Sequence, residues 1–193
     1  VGDFLLSRGL LMALEADDFD LLRITSTAVK LMAEGELLQM QKARTLNIDE
    51  PVYFDIIRMK TASLIASCTE SGAAAGGAPP ELRERLRLFG ELAGMAFQIK
   101  DDLLDYGPAE AAGKPTGQDL KERKITLPLI HVLNQSTWAD RRRAIGIVKS
   151  GRPSRRARAW LRDFVVANNG LTYSQRQMEH YAGQALALLE GLP

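Results

Sequence analysis

The sequence predicts an all-α protein, and three observations carry that prediction. Apolar residues recur at three- and four-residue intervals through most of the 193 residues, which is the spacing of one helix face. Convincing alternating runs bounded by hairpin turns, the signature of strands, are missing. The interruptions fall at short clusters of Gly, Pro, Asn and Ser, which end helices.

Taken in order, residues 1–15 show helical apolar spacing and stop before Asp17-Asp18. A long second helix is predicted over residues 21–43, carrying Leu22, Val29, Leu31, Met32, Leu37 and Leu38. Asp49 or Glu50 followed by Pro51 reads as a helix start, because proline suits the first turn. That helix runs through Phe54, Ile57, Lys60 and Leu64 to about residue 71. Residues 72–80 form a Gly/Ala/Pro break, and residues 81–106 return to strong helix formers. A polar loop is predicted over 107–117. Shorter helices follow at 125–133, 137–149, 154–167 and 173–189. Neither a repeat nor a composition shift divides the chain, so residues 1–193 are expected to form one domain.

Hydrophobic residues make up 46% and charged residues 25%, the balance of an ordinary globular protein. A net charge of +1 gives no global electrostatic case for nucleic acid. The single cysteine, Cys68, excludes an internal disulfide and fits a reducing cytoplasm. Apolar runs fall short of the roughly 18 residues that would span a bilayer. The chain starts within a helical pattern, without an initiator methionine or a leader, and is expected to be truncated at its N-terminus.

The chemistry is concentrated in Phe97-Gln98-Ile99-Lys100-Asp101-Asp102-Leu103-Leu104-Asp105. Gln98, Asp101, Asp102 and Asp105 stand at i, i+3, i+4 and i+7, one face of a helix. Met95, Ala96, Phe97, Ile99, Leu103 and Leu104 around them are apolar, which turns that face inward. Two carboxylates about 6 Å apart repel by roughly 3 kcal/mol at an effective dielectric of about 20. Protonation, basic partners or a hard cation must offset that repulsion. Magnesium takes oxygen ligands and is commonly shared between one or two carboxylates and substrate phosphates. Three lysines are placed to meet a diphosphate: Lys60 on a helix with apolar neighbours, Lys114 in the following loop, and Lys124 beyond it.

These residues match a family pattern. Lys60-Thr61, the Gln98 to Asp105 stretch, Gly113-Lys114-Pro115 and Arg123-Lys124-Ile125-Thr126-Leu127-Pro128 resemble, in order, the motifs of trans-isoprenyl (polyprenyl) diphosphate synthases. Gly2-Asp3-Phe4-Leu5-Leu6 and Glu34-Gly35-Glu36 with Gln39 resemble the same family. The likeness covers residues 1–133 well and fades after that. It implies a helical bundle around a deep central cavity, usually a homodimer, that joins an allylic diphosphate to isopentenyl diphosphate and releases pyrophosphate. It implies Asp101, Asp102 and Asp105 as Mg²⁺ ligands, with Asp101 the most direct. It implies Lys60, Thr61, Gln98, Lys114 and Lys124 as contacts to the allylic diphosphate, with Lys60, Asp101 and Asp102 catalytic. The family's first aspartate-rich motif has no counterpart in these residues; Asp17-Asp18-Phe19-Asp20 has a different spacing and sits at a helix start. The expected function is therefore a prenyltransferase making a linear polyprenyl diphosphate, with this chain by itself incomplete. The alternative is a reduced subunit that pairs with and modulates an active synthase. A terpene cyclase of the same fold is disfavoured by the lysine motifs.

The remaining features have plainer readings. Glu34 and Glu36 are expected on a helix surface or in local pairs, with Gln39 joining a polar network in the cavity. His131 and His180 lack the companions of a zinc site and read as structural. Cys68, Met32, Met40, Met59 and Met95 read as core filling. Arg141, Arg142 and Arg143, with Arg152, Arg155, Arg156, Arg158 and Arg162, read as a solvated basic face rather than a membrane or nucleic-acid contact.

Overall fold

A computed structural model describes residues 1–45, 49–107 and 124–192. The described residues are helical throughout, with turns between, and contain no strand. We number the helices α1 (Gly2–Glu15), α2 (Phe19–Thr45), α3 (Glu50–Ile57), α4 (Ser63–Ala75), α5 (Pro80–Leu104), α6 (Leu127–Gln135), α7 (Trp138–Ser150), α8 (Arg155–Ala167) and α9 (Gly170–Ala187). Arg58–Ala62 is a π-helical turn that joins α3 to α4 without a break.

Local chemistry sets most of the boundaries. The Asp49 carboxylate accepts from the Val52 amide at 3.0 Å, capping α3 ahead of Pro51. Asp18 does the same for Leu21 at the start of α2, which accounts for the Asp17-Asp18 pair. Thr137 and Ser154 cap α7 and α8, and Gly151 ends α7 at φ 62°, a left-handed conformation that suits glycine. Two predicted boundaries shift by three residues or more. The alanine-rich residues 72–75 stay in α4, since alanine is the best helix former and the break needs only residues 76–79. Helix α9 begins at Gly170 rather than at 173, following directly on Asn169.

Helix α5 is the central element, lying between α4 and α9. Its face towards α4 is built for close approach. A Cβ added at Gly90 would stand 2.8 Å from Ala66 Cα, and one at Gly94 would stand 2.6 Å from Ala62 Cα. The glycines at i and i+4 therefore admit the α4 backbone where any side chain would push it away. Gly35 does the same for α2: an added Cβ would lie 2.8 Å from the Lys60 amide nitrogen. The π-turn is held between these two contacts.

Helix α6 is enclosed: Leu127, Leu129, Ile130, Val132 and Leu133 are each at most 5% exposed. It joins Ile99 and Met95 of α5, Tyr53 and Ile57 of α3, and Val148, Leu161 and Val165 of α7 and α8 in one core. His131 stacks on Tyr173 at 3.9 Å between ring centres, a packing role. Burial, then its hydrogen bond to Glu50, pushes the Tyr173 phenol above its usual range. Cys68 and Met40 are exposed, against the expectation of core filling. No described helix is long and apolar enough to cross a membrane.

Gly94→Ala is expected to destabilise the protein by about 1–3 kcal/mol through overpacking against Ala62, measured by urea unfolding. Gly183→Ala, where an added Cβ meets nothing within 4 Å, is the control and is expected to stabilise α9 by about 0.5–1 kcal/mol.

Candidate active site

A cavity of about 240 Å³ opens where α2, α3, the π-turn, α5 and the segment before α6 meet. Its walls include Gln39, Tyr53, Lys60, Thr61, Gln98, Asp101, Asp102 and Lys124 as polar groups, and Ala43, Ile56, Ile57 and Ile125 as apolar ones. Residues from four stretches of sequence are thus brought to one place. Asp105 is the C-cap of α5 and is not among the lining residues. Lys114 lies outside the described residues.

The buried end of the site is organised around Asp102, which is 5% exposed. A carboxylate removed from water needs hydrogen-bond donors to stay ionised at low cost. The Tyr53 hydroxyl donates to its Oδ2 at 2.7 Å, and Gln98 Nε2 donates to its Oδ1 at 3.0 Å. Gln98 Oε1 in turn accepts from the Thr61 hydroxyl at 2.9 Å. The chain Tyr53–Asp102–Gln98–Thr61 therefore ties α3, α5 and the π-turn together. These two anchors orient the Asp102 carboxylate, one at each of its two oxygens.

Lys60 is held from the other side. Its ammonium donates to Gln39 Oε1 at 2.8 Å and pairs with Glu36 Oε2 at 2.5 Å. Glu36 thus reaches across to another helix, whereas local pairing was expected; Glu34 does pair locally, with Lys30. These contacts use two of the three ammonium donors.

The π-turn explains why Lys60 and Thr61, adjacent in sequence, both line the cavity. A π-turn holds an additional residue, so consecutive side chains spread over a smaller angle than in an α-helix. The Ser63 amide closes the turn on Arg58 O, and the Ser63 hydroxyl donates to Met59 O at 2.5 Å. Tyr53 escaped the sequence reading. The signal was present, because Tyr53, Ile57 and Lys60 stand at i, i+4 and i+7 on one helix face.

The donor set fits a hard cation of the magnesium type. Among the described residues no three Asp, Glu, His or Cys side chains converge to hold an ion by themselves. Asp101 and Asp102 on the cavity wall, opposite lysines, suit an ion that takes the rest of its ligands from water and phosphate.

Two substitutions probe this geometry. Tyr53→Phe removes a hydrogen bond to a buried carboxylate and is expected to cost about 1–3 kcal/mol in urea unfolding. Glu36→Gln removes the anion that competes for Lys60. It is expected to tighten inorganic pyrophosphate binding by up to about fivefold, the worth of a partly exposed ion pair, read by calorimetry.

The chain resembles known proteins along its whole length. The chain is 34% identical over 197 residues to an octaprenyl diphosphate synthase of Escherichia coli, matching 100% of this chain and 60% of that protein. It is 39% identical over 196 residues to an all-trans-nonaprenyl-diphosphate synthase (geranyl-diphosphate specific) of Rhodobacter capsulatus, with 100% and 59% covered. The crystal structure of a polyprenyl synthase from Caulobacter crescentus, complexed with calcium and isoprenyl diphosphate, superposes with a TM-score of 0.92 at 33% identity, over 100% of this chain and 59% of that one. The chain spans about three-fifths of the length of the curated relatives it matches. The polyprenyl synthetase family pattern runs through residues 1–161, further than the motifs alone suggested. With that pattern over most of its length and the fold shared from end to end, the chain belongs to the polyprenyl synthetase family.

Proposed function

We propose that the protein is a trans-prenyltransferase that condenses an allylic diphosphate with isopentenyl diphosphate to a linear polyprenyl diphosphate, releasing pyrophosphate. The observation that carries this reading is the single cavity in which Asp101 and Asp102 share a wall with Lys60, Thr61, Gln98 and Lys124. Family membership supports it. One aspartate-rich motif of the DDxxD type stands in the 193 residues. For this chain by itself the proposal is therefore binding of the allylic diphosphate, and for the whole protein the condensation.

In this reading Asp101 and Asp102, with Asp105 one turn further on, hold Mg²⁺ together with diphosphate oxygens and water. The bound ion supplies positive charge to the diphosphate as it becomes a leaving group. Lys60 and Lys124 donate to the same oxygens, and Lys114 is proposed as a third contact. Their charges are worth most as the C–O bond breaks and negative charge builds on the departing pyrophosphate. Gln98 and Thr61 keep Asp102 and the π-turn in register while this happens. Ile56, Ile57 and Ile125 line the cavity and keep water from the allylic carbon. Homodimer assembly is part of the same proposal.

The test is calorimetric titration of a non-ionisable allylic diphosphate analogue, with and without Mg²⁺, into the chain and its Asp101→Ala variant. Mg²⁺-dependent binding that weakens about a hundredfold in the variant is expected. In the whole protein the same substitution is expected to remove nearly all prenyl transfer. Undiminished turnover in Asp101→Ala would contradict the proposal.

A further inference from the structure

Charge is strongly segregated along this chain. Residues 138–163 hold nine arginines and lysines against two aspartates, while the other 167 residues hold 16 basic and 22 acidic side chains. A segment of net +7 thus sits on a remainder of net −6, which the overall charge of +1 conceals.

The structure places these charges on the outside. Arg141, Arg142, Arg143 and Lys149 of α7 are exposed. So are Arg155, Arg156, Arg158 and Arg162 of α8, with Arg152 between the helices. Among the described residues, Arg162 pairs with Asp163, and no ion pair within 4 Å involves Arg142, Lys149, Arg155 or Arg158. The apolar side of α8 is spent on the core, where Leu161 and Val165 are fully buried, so its arginines form the outward side. A second feature lies at the same place. Trp138, 73% exposed, borders a shallow groove with Arg141, Arg142 and Lys149.

We infer that the outer face of α7 and α8 docks on an anionic phospholipid surface. An exposed indole beside a basic field is the side-chain pair that the interfacial region of a bilayer accepts, the ring among headgroups and the cations on phosphates. Single-stranded nucleic acid needs a series of open aromatic faces on which successive bases stack. Here the Trp160 ring is taken up by Arg143 at 4.0 Å and by stacked Phe164, which leaves Trp138 as a single exposed indole. Docking is peripheral, since α8 cannot release its apolar side without opening the core. It therefore depends on charge and falls steeply with salt. The inference is independent of the chemistry proposed for the cavity.

The test is co-sedimentation of the chain with vesicles of equimolar phosphatidylglycerol and phosphatidylcholine, at low and high salt. Vesicles of pure phosphatidylcholine and a single-stranded RNA oligonucleotide are the comparisons. Binding to the anionic vesicles that high salt abolishes is expected. Each basic side chain near such a surface is worth about fivefold, so Lys149→Gln/Arg155→Gln/Arg158→Gln is expected to bind on the order of 100-fold more weakly. Those three positions are exposed, and an unchanged melting temperature verifies the fold of the variant. Trp138→Ala, expected to weaken binding several-fold, gives an independent reading. Equal binding to uncharged vesicles, unchanged binding by the triple variant, or tighter binding to the RNA would overturn the inference.

Discussion

The Asp102 carboxylate, buried between the Tyr53 hydroxyl and the Gln98 amide, is the contact on which the arrangement of the site depends. A charge taken out of water is costly unless donors replace the lost solvent. Tyr53 supplies one such donor from α3 and Gln98 another from α5 itself. Because Gln98 spends its nitrogen on Asp102, its oxygen is left to accept from Thr61, and the π-turn is drawn into the same chain. One buried carboxylate thereby sets the relative positions of three elements.

The backbone packing makes those hydrogen bonds possible. Gly94 lets Ala62 approach α5, and Gly35 lets the Lys60 backbone approach α2. The π-turn between them presents Lys60 and Thr61 to the same cavity. Lys60 is then steadied by Gln39 and Glu36 from α2, so its ammonium is held in a fixed place. Preorganisation of this kind favours electrostatic catalysis, because donors need not reorganise as charge develops.

Much of this was legible in the sequence, for identifiable reasons. The carboxylate helix follows from the spacing of Gln98, Asp101 and Asp102, and the helix starts follow from Asp49-Glu50-Pro51, Thr137 and Ser154. These signals are local, as helix periodicity and capping are. What was not legible depends on contacts between distant segments. The π-turn has no composition of its own and is stabilised by Gly35 and Gly94, 25 and 34 residues from Lys60. Glu36 was expected on a helix surface or in a local pair because the sequence does not reveal that Lys60, 24 residues away, folds back onto it. Cys68 and Met40 were expected inside because residue type alone does not say which side of a helix is already covered. Phe97 is 60% exposed for the same reason, although its neighbours Ala96 and Ile99 are buried.

A double-mutant cycle on Thr61 and Gln98 tests the account most directly, with Mg²⁺-dependent binding of the allylic diphosphate analogue as the readout. If one chain of hydrogen bonds holds the π-turn and Asp102 in register, Thr61→Val and Gln98→Leu break the same linkage. The double variant should then bind about as weakly as Gln98→Leu alone, with a coupling of about 1 kcal/mol or more. Losses that simply add, or single variants that bind as well as the unaltered protein, would contradict the claim that this chain organises the site.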